Sequence, residues 1–165
     1  MGMSAHYYAY AQDVIEAIKN GGGDNVETMG EYDLDKMWDA MHKTLTGKNM
    51  FEAMSAGEIF ATPNPLSWAI FGRGMAGEDG SEAVSYVDAD DVKALAKAMQ
   101  STDIGALLAN VNFIEFGEAG TYPEIWEYES EFEDIKTELK EHFNGLLSFY
   151  QSAADKGLGV LIVIA

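Results

Sequence analysis

The last eight residues, Leu158-Gly159-Val160-Leu161-Ile162-Val163-Ile164-Ala165, constrain this chain most. The run is almost wholly apolar and rich in β-branched side chains, which suit a pleated strand. It is far short of the ~20 residues that a membrane-spanning helix needs. No polar residue alternates with the apolar ones, so a strand buried on both faces at the centre of a sheet is expected. The preceding segment supplies a cover. Ser130-Glu131-Phe132-Glu133 has the pattern of a capping box. Phe132, Ile135, Leu139, Phe143, Leu146 and Tyr150 then recur every three or four residues, predicting the longest helix of the chain. Gly145 inside it predicts a bend, and Gly157 its end.

A central strand needs partners, and the sequence offers them upstream. Ser4 to Ala11 reads as a strand with His6, Tyr8 and Tyr10 on one face and Tyr7 and Ala9 on the other. A short helix with Val14, Ile15 and Ile18 inward follows, closed by Gly21-Gly22-Gly23, and a weak helical turn is expected at Val26 to Met29. Residues 48–65 are the least regular, with Pro63 and Pro65 favouring an extended entry and Ser55 a loop or cap residue. A strand pair is expected around residues 66–87. Two helices follow, with Val92, Leu95, Ala96 and Met99 inward in the first and Ile104, Leu107, Leu108 and Val111 in the second. Asn112 to Phe116 is ambiguous, and Gly117 to Glu129 reads as a loop. The expected architecture is α+β: one domain over residues 1–165, with a small mixed β-sheet, a buried C-terminal strand and several packing helices. No repeat period argues for a solenoid.

Charge narrows the partners. Against 10 basic side chains stand 28 acidic ones, for a net charge of −18. Nucleic acid and anionic membrane both need a cationic surface and are disfavoured as partners, so neither is expected. The hydrophobic fraction of 47% argues for a packed core. Zero cysteines exclude disulfides, zinc–thiolate sites and thiol catalysis. With no basic region followed by an apolar run near the N-terminus, a cytoplasmic location is expected. No cofactor and no metal site is expected.

The densest group of ionisable residues lies in Asp33 to Gly47. Leu34, Met37, Trp38, Met41 and Leu45 form an apolar stripe, Asp33 is a candidate N-cap, and Gly47 suits a left-handed C-cap. On a helix, Asp35, Asp39 and His42 at i, i+4 and i+7 share a polar face. Two carboxylates and an imidazole there can bind a metal or move a proton, or they can be a solvated face. Gly72-Arg73-Gly74-Met75-Ala76-Gly77 matches the dinucleotide-binding pattern formally. No helix opens within its glycines and acids follow it, so a Gly-rich surface loop is expected instead. Arg73 is the sole arginine, close to Trp68, and can meet an anionic ligand group. Tyr122, Pro123, Trp126 and Tyr128 crowd one loop. Trp126 there can contact a ligand or plug the edge of the core.

Asp35-Lys36-x-Trp38, His42 and Leu45-Thr46-Gly47 resemble the signature of the bacterial YfbM-like family, a domain of unknown function. Met1-Gly2-Met3, Tyr122-Pro123-x-x-Trp126 and the Gly-then-apolar C-terminus resemble it too. The resemblance implies an α+β domain and supplies no activity or catalytic residues.

Two functions follow as expectations. One is a non-catalytic acidic interaction protein, inhibitor-like or immunity-like, that binds a basic partner protein through the segment Glu115 to Glu141. That segment carries ten acids against Lys136 and Lys140. The other is an enzyme or small-molecule-binding protein using Asp35, Asp39 and His42, with Arg73 and Trp68 closing over them. A His42 buried against a backbone carbonyl would remove the centre of the second.

Overall fold

The computed structural model describes residues 2–23, 26–76 and 83–165. The elements run β1 (Ala5–Ala11), α1 (Gln12–Lys19), β2 (Gly30–Asp35), α2 (Trp38–Thr46), α3 (Met50–Ser55), α4 (Pro65–Phe71), β3 (Gly74–Met75) and β4 (Ala83–Val87). Then come α5 (Ala89–Gln100), α6 (Ile104–Ala109), α7 (Phe113–Glu118), α8 (Phe132–Asp155) and β5 (Leu158–Ile164). The fold is α+β, and the strand order is β2-β1-β5-β4-β3. The C-terminal strand is therefore central, as its composition predicts. Every ladder is antiparallel, so the sheet is antiparallel rather than mixed.

Alternation along the strands divides the sheet into two faces. Ala5, Tyr7 and Ala9 of β1 pair with Ile164, Ile162 and Val160 of β5, and this face carries the core. Helix α8 lies across it, with Tyr150 edge-on to Tyr7 at 6.0 Å and its hydroxyl donating to the Ala69 carbonyl at 2.9 Å. The far face is only partly covered. Ile15 of α1 packs so close to Gly159 that a Cβ there would meet it. Beyond that end, Leu161, Val163, Tyr8 and Tyr10 stay half-buried. So β5 is central but not buried on both faces along its whole length: α1 has only eight residues to cover the second face.

Several expected elements change. Leu66 to Phe71 is helix, not strand. The Asn64 side chain accepts the Leu66 N–H and Pro65 sits in the first turn, where its missing N–H costs nothing. Residues 48–65 also contain α3, opened by a reciprocal capping box of Asn49 and Glu52. Ser55 ends that helix. Phe113–Glu118 resolves as helix, with Asn112 accepting the Ile114 and Glu115 N–H groups. The box at Ser130 does not form: a 3-10 turn, Glu129–Glu131, precedes α8, and no side chain caps it. Val26 to Met29 contains no helical turn; the Met29 N–H already donates to the Ala9 carbonyl beside β1. Gly74–Met75 is a short edge strand rather than loop, whereas Gly77 to Gly80 lies outside the described residues.

Candidate functional site

Helix α2 starts later than its sequence predicts. The Asp33 carboxylate accepts the Asp35 N–H at 2.7 Å, and Asp35 takes a left-handed φ of 54°. Both hold the chain in a turn at the end of β2, so Asp33 caps that turn instead of a helix. Asp35 is thus an exposed strand-end residue that accepts a hydrogen bond from the Ser4 hydroxyl. It is not on one face with Asp39 and His42. The far end is as expected, with Gly47 left-handed at φ 84°.

The remaining polar residues of α2 are interior. Every residue from Trp38 to Leu45 is buried, and Asp39, His42 and Lys43 expose 1%, 2% and 4% of their surface. A buried polar group is costly unless bonded, and each of these is. Asp39 accepts the Met50 N–H at 2.7 Å and the Tyr122 N–H at 2.9 Å, one on each oxygen. Burial raises its pKa above the usual carboxylate value, while those two N–H groups and Lys43 oppose the rise. The His42 Nδ1 lies 2.5 Å from the Lys48 carbonyl, so it carries the proton, and Nε2 accepts from the Ser67 hydroxyl at 2.8 Å. Phe71 packs against the ring at 4.3 Å. Burial, partly offset by the Lys48 carbonyl, lowers the His42 pKa to about 4. The imidazole is neutral, of fixed tautomer, and has no free nitrogen.

Lys43 reaches Glu52 at 2.6 Å and Glu115 at 3.2 Å. Burial alone would raise the Glu52 pKa, but the Asn49 N–H and the Lys43 ammonium outweigh it and hold it below the usual value. Asn49, wholly buried, donates to the Ala119 carbonyl at 2.8 Å and to the Thr121 hydroxyl at 3.2 Å. Together these bonds fasten α3, the end of α7 and the loop after it onto α2.

The same loop is held from its other side. Trp38 stacks on Tyr122 at 5.5 Å and donates its indole N–H to the Met3 carbonyl at 3.0 Å. The Met3 N–H donates to the Tyr122 hydroxyl at 2.8 Å. A Cβ at Gly2 would collide with that hydroxyl. Residues separated along the sequence as Gly2-Met3, Trp38 and Tyr122 therefore meet at one junction.

The segment from Glu115 to Glu141 carries an acidic surface. All ten carboxylates from Glu115 to Glu141 are exposed. Tyr128 and Ile114 stand among them, 59% and 49% exposed. Between α7 and the loop lies a cleft of about 530 Å³, rimmed by Glu118, Glu124 and Glu127 and lined by Ile114 and Trp126. Trp126 is its buried floor. Its indole donates to the Thr121 carbonyl at 2.9 Å, and its ring packs on Phe113 and Phe116. Gly117 permits this approach, since a Cβ would stand 3.0 Å from the Trp126 Cβ. Among the described residues, Lys43 pairs with Glu115 and Lys136 with Glu133, but no cation pairs with the three rim acids.

Arg73 and Trp68 are elsewhere. The guanidinium lies 3.9 Å over the Trp68 ring and 3.5 Å from Asp91, and the Trp68 indole donates to the Thr62 carbonyl. Arg73 is thereby committed to α4 and α5. Among the described residues, no three His, Cys, Asp or Glu side chains are placed to share a metal ion. No helix among them is long and apolar enough to cross a membrane.

Comparison with curated proteins finds no match. The crystal structure of YfbM from Escherichia coli, a protein of unknown function, is similar in fold. Its TM-score is 0.78 at 21% identity, over 98% of this chain and 99% of that one. The family model described as "Domain of unknown function (DUF1877)" matches residues 1–163, so the chain belongs to that family.

Proposed function

We propose that this protein is a non-catalytic, acidic interaction protein that binds a basic partner protein. The observation that carries the reading is the cleft of three carboxylates without cationic partners among the described residues, floored by Trp126 and flanked by exposed Ile114 and Tyr128. Carboxylates beside apolar anchors suit an arginine or lysine side chain whose aliphatic stem packs while its charge is matched. The net charge of −18 would steer a basic partner from a distance and disfavours nucleic acid and anionic membrane. The absence of cysteine is compatible with a cytoplasmic location and a single folded domain, both part of the same proposal.

The enzymatic alternative finds no support in the geometry. His42 has both nitrogens bonded inside the protein, Asp39 spends both oxygens on backbone N–H groups, and Asp35 belongs to another element.

The test is charge reversal at the rim acids Glu118, Glu124 and Glu127, all exposed. Partner capture from a lysate of the source organism should be lost in the triple lysine variant and should weaken steeply with salt for the natural protein. Unchanged capture by the variant would contradict the proposal.

A further inference from the structure

We propose that a second site, sharing no lining residue with the acidic cleft, binds a small uncharged apolar molecule of about two fused rings. A cavity of about 240 Å³ opens where the end of the sheet, at Val84 and Ile164, faces α2, α3 and α4. Trp38 and Phe71 belong to its walls. Among the described residues, Ser85 is the one Ser, Thr, Asn or Gln in its lining and no charged side chain lines it. Water entering such a space finds almost no hydrogen-bonding partners, whereas an apolar molecule loses nothing by leaving water. A cavity of about 150 Å³ holds one benzene ring, so this one has room for a bicycle.

The walls add two further signs of a ligand. Four of the nine methionines, Met3, Met50, Met54 and Met75, line the cavity. Met3, Met54 and Met75 are 43%, 59% and 59% exposed, an unusual outlay of apolar surface. Unbranched, polarisable thioethers adapt to a guest and contact aromatic edges favourably. Phe60, also in the wall, holds a φ of 69°, a left-handed conformation that a bulky side chain seldom adopts. Strained backbone of this kind collects at binding sites. A charged ligand is disfavoured, since no charged side chain among the described lining residues would compensate the loss of its hydration.

The test is an NMR titration of the full chain carrying 13C-methyl methionine, with indole as the probe and indole-3-acetate as its charged counterpart. The methyl signals of Met3, Met50, Met54 and Met75 should move saturably with indole, while those of Met29 and Met99 stay fixed. Indole-3-acetate should bind at least about tenfold more weakly. Met54→Lys and Met75→Lys, at exposed positions that the fold tolerates, should each weaken indole binding about tenfold or more. Four signals that stay still up to millimolar indole would overturn the proposal. So would equal binding of the carboxylate, variants that bind as well as the natural protein, or movement of Met29 alongside the four. Lysine variants at the rim acids of the cleft should leave indole binding unchanged, which separates failure of this site from failure of the partner-binding reading.

Discussion

Helix α2 and the surface from Glu115 to Glu141 hold the same kinds of side chain in opposite circumstances. In α2 the carboxylate, imidazole and ammonium of Asp39, His42 and Lys43 are buried, and their polar atoms are bonded within the protein. On the surface, ten carboxylates face water, and three around one cleft have no cationic partner among the described residues. A residue type capable of chemistry is thus no sign of function by itself; what distinguishes the two regions is unspent bonding capacity. The two are also linked, because Asp39 and Asn49 fasten the loop that presents the cleft. The buried group is scaffold, and the surface group faces solvent.

The sharpest way to break this division is Asp39→Ala. It strands the Met50 and Tyr122 N–H groups in the interior, and the expected loss is about 3–5 kcal/mol in urea unfolding. A loss under about 1 kcal/mol would mean that the carboxylate is not a strut.

Acid is the next probe. The unfolded His42 imidazole takes a proton below about pH 6.5 and the folded one only below about 4. Its contribution is therefore whole above pH 6.5 and is lost as pH falls towards 4, about 3 kcal/mol in all. Asp39, with its raised pKa, acts in the opposite sense and offsets part of the loss near the bottom of that window. Unfolding measured from pH 7.5 to 4.5 should show the decline, and His42→Gln should flatten it.

Lys43→Met sharpens the contrast within the buried group. Glu52 and Glu115 have side chains 38% and 47% exposed and can rehydrate, and a methionine fills the space of the lysine stem. The expected change is within about 1 kcal/mol. Smallest of all is the structural effect of charge reversal at Glu118, Glu124 and Glu127, about 0.5 kcal/mol or less per site in the same unfolding assay.

Much of this fold was legible because its signals are strong over long spans. The apolar run of β5, the periodicity of α8 and the alternation in β1 each survive in the structure. Short elements were harder. Leu66 to Phe71 is apolar in either conformation, and Asn64-Pro65 was the start signal that decided for helix. The polar face of α2 misled in a particular way. Spacing does not separate a chemical cluster or a solvated face from an internal strut, since the partners of Asp39 and His42 are largely backbone groups at Met50, Tyr122 and Lys48. Backbone groups leave no mark in a sequence. The acidic surface was legible from composition alone, whereas its cleft depends on Trp126 folding under Gly117, a contact no spacing rule reveals.

The most direct measurement is native mass spectrometry of three forms recovered gently from a lysate of the source organism: the natural protein, His42→Gln, and the triple variant Glu118→Lys, Glu124→Lys, Glu127→Lys. A basic protein bound at fixed stoichiometry to the first two and absent from the third is the predicted result. A bound molecule that survives charge reversal and disappears with the folded His42→Gln form would contradict the account, and would return the chemistry to helix α2.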